Sequence, residues 1–277
     1  MKIRSIRSRA RQVQKSTSGI YALFLIPILA RIISISYEFL HNQVDTMTAS
    51  GLTNPQDLIS EFSGIGWLTT GLSGLIFTVV TTILLAFFSI SALFTVLEVL
   101  RHQREEVALQ DSFRAFDIAI FGKIFRTLLL KQFFLFLWSL VSFIGTFMML
   151  GSFSALAISL LTNTPNPLIG NLLVISLILS IIGLAIAIPQ VYAYSQVEYI
   201  LYERLHEKTY QSAFAIIRDS RKLMKGYKAK RFVLDLSFIG WWFLTGLTLG
   251  IVGFYTIPYQ SIANTIFYEE LIKEQQA

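Results

Sequence analysis

FFLFLWSLVSFIGTFMMLGSFSALAISLLTNTPNPLIGNLLVISLILSIIGLAIAIP, residues 133–189, holds no Asp, Glu, Lys or Arg, and the uncharged run containing it extends over residues 132–197. A helix in water needs a charged or polar face, and this stretch offers none. A membrane crossing needs about 20 mostly apolar residues, so the run is long enough for two. It divides at Asn163-Thr164-Pro165-Asn166-Pro167, where two prolines that cannot continue a helix and two turn-forming asparagines predict a tight reversal between antiparallel spans. Pro189 is expected to end or kink the second of them. Tyr192, Tyr194, Tyr199 and Tyr202 beyond it suit a membrane interface, with ring in headgroups and hydroxyl wet.

Two more uncharged runs, 62–97 and 236–268, flank this one. The whole chain of 277 residues is 54% apolar and only 14% charged, with no cysteine. Those values exclude a disulfide-stapled secreted domain, a disordered chain and a collagen-like one. The reading is an all-α polytopic membrane bundle, a single membrane domain over 1–277, of about five passes. The spans are placed near 20–40, 67–97, 133–159, 168–188 and 232–257. Residues 1–19 carry six bases and no acid ahead of the apolar run Ile20–Leu40. Read alone they could be a secretory signal or an organellar presequence. Arg31 interrupts the apolar run and further spans follow, so an uncleaved first helix is the expectation.

Of the 23 Lys and Arg residues, 21 fall in 1–19, 98–131 and 198–235. Short loops rich in Lys and Arg stay cytoplasmic, which puts those three segments inside and the 41–66 loop outside. With five passes the tail 258–277 is expected outside as well. Residues 232–269 have a second reading, a broken helix with a re-entrant end.

The inner segments 98–131 and 198–231 read as amphipathic interfacial helices. In Ser112–Lys131, helical spacing gathers Phe113, Phe116, Ile120, Ile124 and Leu128 opposite Lys123 and Arg126. This helix is expected to lie on the inner leaflet before turning into the third pass. In the second segment Thr209 is the expected N-cap and Gly226 the C-cap of a helix with Tyr210, Phe214, Ile217 and Met224 on one arc. Arg218, Arg221, Lys222 and Lys225 share the neighbouring arc, and Lys228, Lys230 and Arg231 follow. These seven are candidate contacts for anionic headgroups of the cytoplasmic leaflet, each base contributing about 1 kcal/mol near the surface. The plainer reading is that they only set topology. On the outer side Asn54-Pro55-Gln56-Asp57 predicts the start of a short helix through about Ser63.

Arg31 is the costliest residue in the chain, since an arginine at the centre of a span costs roughly 2.5–3.5 kcal/mol. Glu38 shares its helix face, and Asp235, at the inner start of the fifth span, completes a candidate intramembrane polar site. It is either a place for an anionic group or an internal ion pair. Gly240, Gly246, Gly250 and Gly253, with Gly246 and Gly250 four apart, are candidate helix-packing positions. No HExxH, Walker or GxSxG pattern occurs and no thiol is present, so no catalytic, metal or cofactor residues are expected. The basic charge follows the inner membrane surface and does not indicate nucleic-acid binding.

Ser220-Arg-Lys-Leu-Met-Lys-Gly-Tyr-Lys, Phe232-Val-Leu-Asp-Leu-Ser-Phe-Ile-Gly-Trp-Trp, Leu247-Thr-Leu-Gly-Ile251, Pro258-Tyr259 and Ala263…Phe267-Tyr268-Glu269 resemble the bacterial membrane-protein family called domain of unknown function 975. Phe113…Phe116 and Leu137-Trp138-Ser139-Leu140 resemble its middle; Ile186-Ala-Ile-Pro189 departs from the Pro-Gly-Ile turn often found there. The resemblance implies a bacterial plasma-membrane protein and supplies no catalytic residues. A fainter similarity of plan links such proteins to the membrane domains attached to glycerophosphodiester phosphodiesterases. The functional expectation is a non-enzymatic module that binds envelope lipid, a membrane-protein partner or a second copy of itself. The alternative is a small transporter or permease subunit with a polar path near Arg31.

Overall fold

A computed structural model describes residues 2–30, 32–34, 36, 65–164 and 166–276. Arg31, Glu38 and the short helix expected after Asn54 lie outside the described residues, as does Pro165 of the expected turn. The described residues are helical, with no strand among them: α1 Ile3–Ser16, α2 Ile20–Ser34, α3 Ile65–Leu100, a 3-10 segment Leu109–Phe116, α4 Ile118–Leu161, α5 Leu168–Ala193, α6 Val197–His206, α7 Ala213–Leu223, α8 Lys228–Leu236, α9 Ile239–Leu247 and α10 Gly253–Gln276. Three stretches are long and apolar enough to cross a membrane, Ile76–Leu100, Ile118–Leu161 and Leu168–His206. The chain forms two compact units, Met1–Ile118 with Ser237–Ala277, and Ala119–Leu236.

In the second unit α4 and α5 form an antiparallel hairpin about the predicted asparagine-proline turn. Its seam is made of small residues. A Cβ on Gly183 would lie 2.2 Å from the Ser142 backbone nitrogen, and one on Gly145 would lie 2.5 Å from that of Ser180. The lipid-suited residues point away from this seam: Phe147, Leu160, Ile175 and Ile181 are exposed. α4 is 44 residues long, about 66 Å at 1.5 Å per residue and twice a hydrocarbon core. Residues 118–131 therefore do not form a separate helix lying on the leaflet. They continue the third span without a break, while Phe113 and Phe116 belong to the 3-10 segment, which ends before Asp117. α5 runs through Pro189 to Ala193.

In the first unit the expected single crossing over 232–257 is broken. α9 is only 9 residues long, the chain reverses over 248–252, and α10 returns beside it. Phe238 meets Tyr259 at 4.9 Å between ring centroids and Trp241 meets Tyr255 at 5.0 Å, so the pairing is antiparallel. The reversal uses left-handed backbone at Leu249 (φ 50°) and Gly250 (φ 94°). Glycine at the second of these removes the steric cost of that conformation.

Residues 258–276, expected as a tail, are most of α10, and Tyr259, Ile262, Ala263, Ile266, Phe267 and Leu271 are fully buried. They recur at three- and four-residue intervals and form one face. α1 packs against that face through Ile6, Ala10 and Gln14. The Gln14 side-chain amide donates to the Tyr255 carbonyl at 3.1 Å, and Arg7 Nε donates to the Tyr259 hydroxyl at 3.2 Å.

Candidate functional site

The basic segment of the second unit is built on α7. Its N-cap is Ser212, whose hydroxyl accepts from the Ala215 amide at 3.2 Å, in place of the expected Thr209. Tyr210 precedes the helix, with its hydroxyl 3.5 Å from that of Thr127 on α4. Ile216, Ile217, Ser220 and Met224 are buried. The Ser220 hydroxyl donates to the Ala193 carbonyl at 2.8 Å and accepts from the Gln196 amide, which fastens α7 to the corner between α5 and α6. Gly226 has φ 86° just beyond the helix end.

The expected basic arc faces away from these contacts. Arg218, Arg221, Lys222 and Lys225 are exposed, Lys228 is half-buried, and exposed Lys230 stands 4.8 Å over the Tyr227 ring. Arg231 does not belong with them. It is buried and bonded to Asp235 at 3.0 Å, one helical turn on. The expected interfacial tyrosines are also inside: Tyr194, Tyr199 and Tyr202 are buried, and the Tyr194 hydroxyl accepts from the Trp138 indole at 3.1 Å.

The first unit carries an ion-pair network at the end of α3 that motif reading missed. Arg114 donates to both Glu98 oxygens at 2.7 Å, Arg104 Nε lies 3.1 Å from the same carboxylate, and Arg104 also pairs with Asp111. Asp111 accepts from the Ala108 amide at 2.9 Å, which starts the 3-10 segment. That segment is held on α3 by Phe87, Phe88, Phe113 and Phe116 and by a bond from the Ala115 amide to Ser91. Arg101 reaches Glu269 of α10 at 2.8 Å. Bidentate, charge-assisted pairs of this kind fix geometry. Their only signal in the sequence was the mixture of signs in 98–114.

Of the candidate polar site, Asp235 is engaged by Arg231, and Arg31 and Glu38 lie outside the described residues. Among the packing glycines, Gly240 and Gly246 have nothing within 4 Å of a built Cβ, Gly250 makes the reversal, and Gly253 touches Thr245 and Ile257. The close approach in the chain uses Gly145 and Gly183 instead. Among the described residues no three His, Cys, Asp or Glu side chains are grouped to hold a metal.

Comparison with curated proteins and with solved structures finds no match. A family model described as a protein of unknown function, DUF975, matches residues 1–275. The segments that carry the resemblance are those that fold as α7 through α10, and the match extends over nearly the whole chain: this protein belongs to the DUF975 family.

Proposed function

We propose that the chain is a non-enzymatic, multi-pass protein of the bacterial plasma membrane whose basic α7–α8 surface holds anionic headgroups of the cytoplasmic leaflet. One observation carries this reading: Ile216, Ile217 and Met224 of the α7 segment are packed within its own unit, while its bases, and of its apolar arc Phe214, are exposed. Such a helix meets a bilayer chiefly by charge, with one exposed ring beside it. A base near an anionic surface contributes about 1 kcal/mol, so the four exposed bases of the arc supply enough to retain several lipids.

In this reading the crossings are those near 20–40, 67–97, 133–159 and 168–188, and residues 232–257 enter from the cytoplasmic side and return. Both chain ends are then cytoplasmic. The support is the pairing of α10 with α1 and of Glu269 with Arg101, together with the concentration of bases in 1–19, 98–131 and 198–235.

The absence of cysteine makes the test direct. Single cysteines at Ser8, Lys225 and Gln276 should be labelled by an impermeant maleimide only after the cells are opened, and one at Asn163 in intact cells. Labelling of Gln276→Cys from outside would overturn the topology. For the lipid contact, the full chain carrying Arg218→Gln, Arg221→Gln, Lys222→Gln and Lys225→Gln should lose most of the phosphatidylglycerol that the unaltered protein retains in mild detergent. Equal retention would overturn that part.

A further inference from the structure

α1 carries a second basic surface, in the other unit. Arg4, Arg7 and Arg11 recur at intervals of three and four, which places them in one row beside the apolar stripe that docks on α10. Together with Ile3 they line an open cavity of about 490 Å³. That is within the roughly 300–1,000 Å³ of small-molecule sites.

Two of the guanidiniums are held in place by aromatic rings. Arg7 lies 5.3 Å over Phe238 and bonds the Tyr259 hydroxyl through Nε, and Arg11 lies 5.9 Å over Tyr259. A guanidinium over a ring face keeps Nη donors free to bond a second group. Among the described residues no carboxylate pairs with Arg4, Arg7 or Arg11. That sets them apart from Arg101, Arg104, Arg114 and Arg231, each of which has a carboxylate within 3.1 Å. Three like charges gathered in one groove repel one another until an anion enters, and a planar fork of donors matches phosphate oxygens two at a time.

We propose that the groove formed by Arg4, Arg7 and Arg11 on α1 binds a phosphate-bearing anion. A phosphomonoester or a diphosphate suits it best, since a phosphate group near pH 7 carries about −1.5 to −2 charge, whereas a phosphodiester carries only one negative charge. The anion is either the terminal phosphate of a lipid headgroup or a soluble phosphate compound. Arg7 is anchored to Tyr259, so it positions the groove, while Arg4 and Arg11 reach the ligand from either side.

The experiment uses the full chain in phosphatidylcholine nanodiscs with three probes: inorganic pyrophosphate, phosphatidic acid and phosphatidylglycerol. Saturable binding of one equivalent of pyrophosphate or phosphatidic acid is expected, with phosphatidylglycerol at least tenfold weaker. Binding of phosphatidic acid alone identifies a lipid headgroup, and of pyrophosphate alone a soluble ligand. Arg4→Gln with Arg11→Gln should weaken binding at least tenfold. Lys2→Gln with Arg9→Gln removes the same charge from the opposite flank of α1 and should change it less than twofold. Arg4→Gln alone, at an exposed residue, separates loss of binding from loss of fold and should weaken binding with an unchanged melting temperature. Absence of saturable binding to either preferred probe, or equal losses from the two double variants, would overturn the proposal. Every sample also carries Arg218→Gln, Arg221→Gln, Lys222→Gln and Lys225→Gln, so the binding read is that of α1, and it can fail while the lipid contact of α7–α8 stands.

Discussion

Replacing Gly183 with alanine tests the hairpin seam on which the second unit is built. The added Cβ would sit 2.2 Å from the Ser142 nitrogen and 2.4 Å from its Cα, where ordinary contact begins near 3.4 Å. Both atoms are backbone, so no side chain can swing aside, and the α4 and α5 backbones must part locally by about 1 Å. Opening a packed surface by 0.5–1 Å forfeits a quarter to a half of each dispersion contact across it. Overpacking of this kind costs about 1–3 kcal/mol. Gly145→Ala meets the Ser180 nitrogen at 2.5 Å in the same crossing, and one separation relieves both clashes. The double variant should therefore lose clearly less than the sum of the two. Gly246→Ala is the matched control: its Cβ enters open space, and alanine in a helix interior is favoured over glycine by up to about 1 kcal/mol. Denaturation by SDS in mixed micelles, followed by loss of helicity, measures the four variants against the unaltered protein. A Gly183→Ala protein as stable as the unaltered one would refute the close approach. A Gly246→Ala protein as damaged as Gly183→Ala would return the close packing to the Gly246–Gly250 pair.

Gly19→Ala should be more damaging still: φ is 76° there and a Cβ would fall 1.9 Å from the Val107 carbonyl oxygen, so left-handed strain of about 1–2 kcal/mol adds to a clash that parts the 18–19 and 106–107 strands of chain. A melting temperature equal to that of the unaltered protein would count against this pairing. Glu98→Gln removes the carboxylate that Arg114 and Arg104 share, leaving Arg104 its pair with Asp111, and should cost about 1–2 kcal/mol, discounted because both arginines are about a third exposed, whereas Glu105→Gln at an exposed site should be neutral. Thermal unfolding in detergent compares the two. Burial pushes the Glu270 carboxyl above its ordinary value, against the pull of Arg9. The folded chain therefore prefers its protonated form, and this contribution is full below the ordinary carboxylate range and lost as pH rises through the raised value. Glu270→Gln should raise the melting temperature near neutral pH and flatten the profile in that window; an unchanged profile would show that the carboxyl is not buried against α1.

The helices within 67–97, 133–159 and 168–188 were legible because hydrocarbon admits only long apolar runs, and Asn163 to Pro167 marked the reversal between two of them. A broken helix over 232–269 was the second reading of the sequence, but the place of its reversal, 248–252, was not legible. It lies inside an uncharged run with no proline before Pro258, and Gly250, which makes it, also completed a small-residue pattern that reads as packing. Gly145 and Gly183 each follow a serine by three positions, Ser142 and Ser180, and this pairing of small residues lacks the glycine pair four apart that was read as packing at Gly246 and Gly250. The α10 core was written in the sequence at helical spacing, from Tyr259 through Ile262, Ile266 and Leu271. Glu269, Glu270 and Lys273 gave the segment the look of a tail. In α1 the five bases likewise obscured the apolar positions Ile6 and Ala10 that dock it.

Counting Lys and Arg by segment places loops, but it treats every base alike, and the structure divides them. Arg104 and Arg114 serve Glu98, Arg101 serves Glu269, Lys131 serves Glu198, Arg204 serves Asp219 and Arg231 serves Asp235. Each of these bases is neutralised where it stands and acts on the fold. Arg4 and Arg11 on α1, and Arg221, Lys222 and Lys225 at the end of α7, have no carboxylate partner among the described residues. An unpartnered base at a membrane surface keeps its full attraction for anions, since nothing in the chain has yet discharged it. The two groups also differ in geometry. The α7 bases stand on an open helix face and suit a diffuse layer of headgroups, while the α1 arginines line a cavity with aromatic rings behind two of them and suit a single anion. Salt should therefore separate the two: binding along α7 should fall smoothly as ionic strength rises, whereas binding in the α1 groove, held by directed donors, should persist to higher salt and compete only with other phosphates.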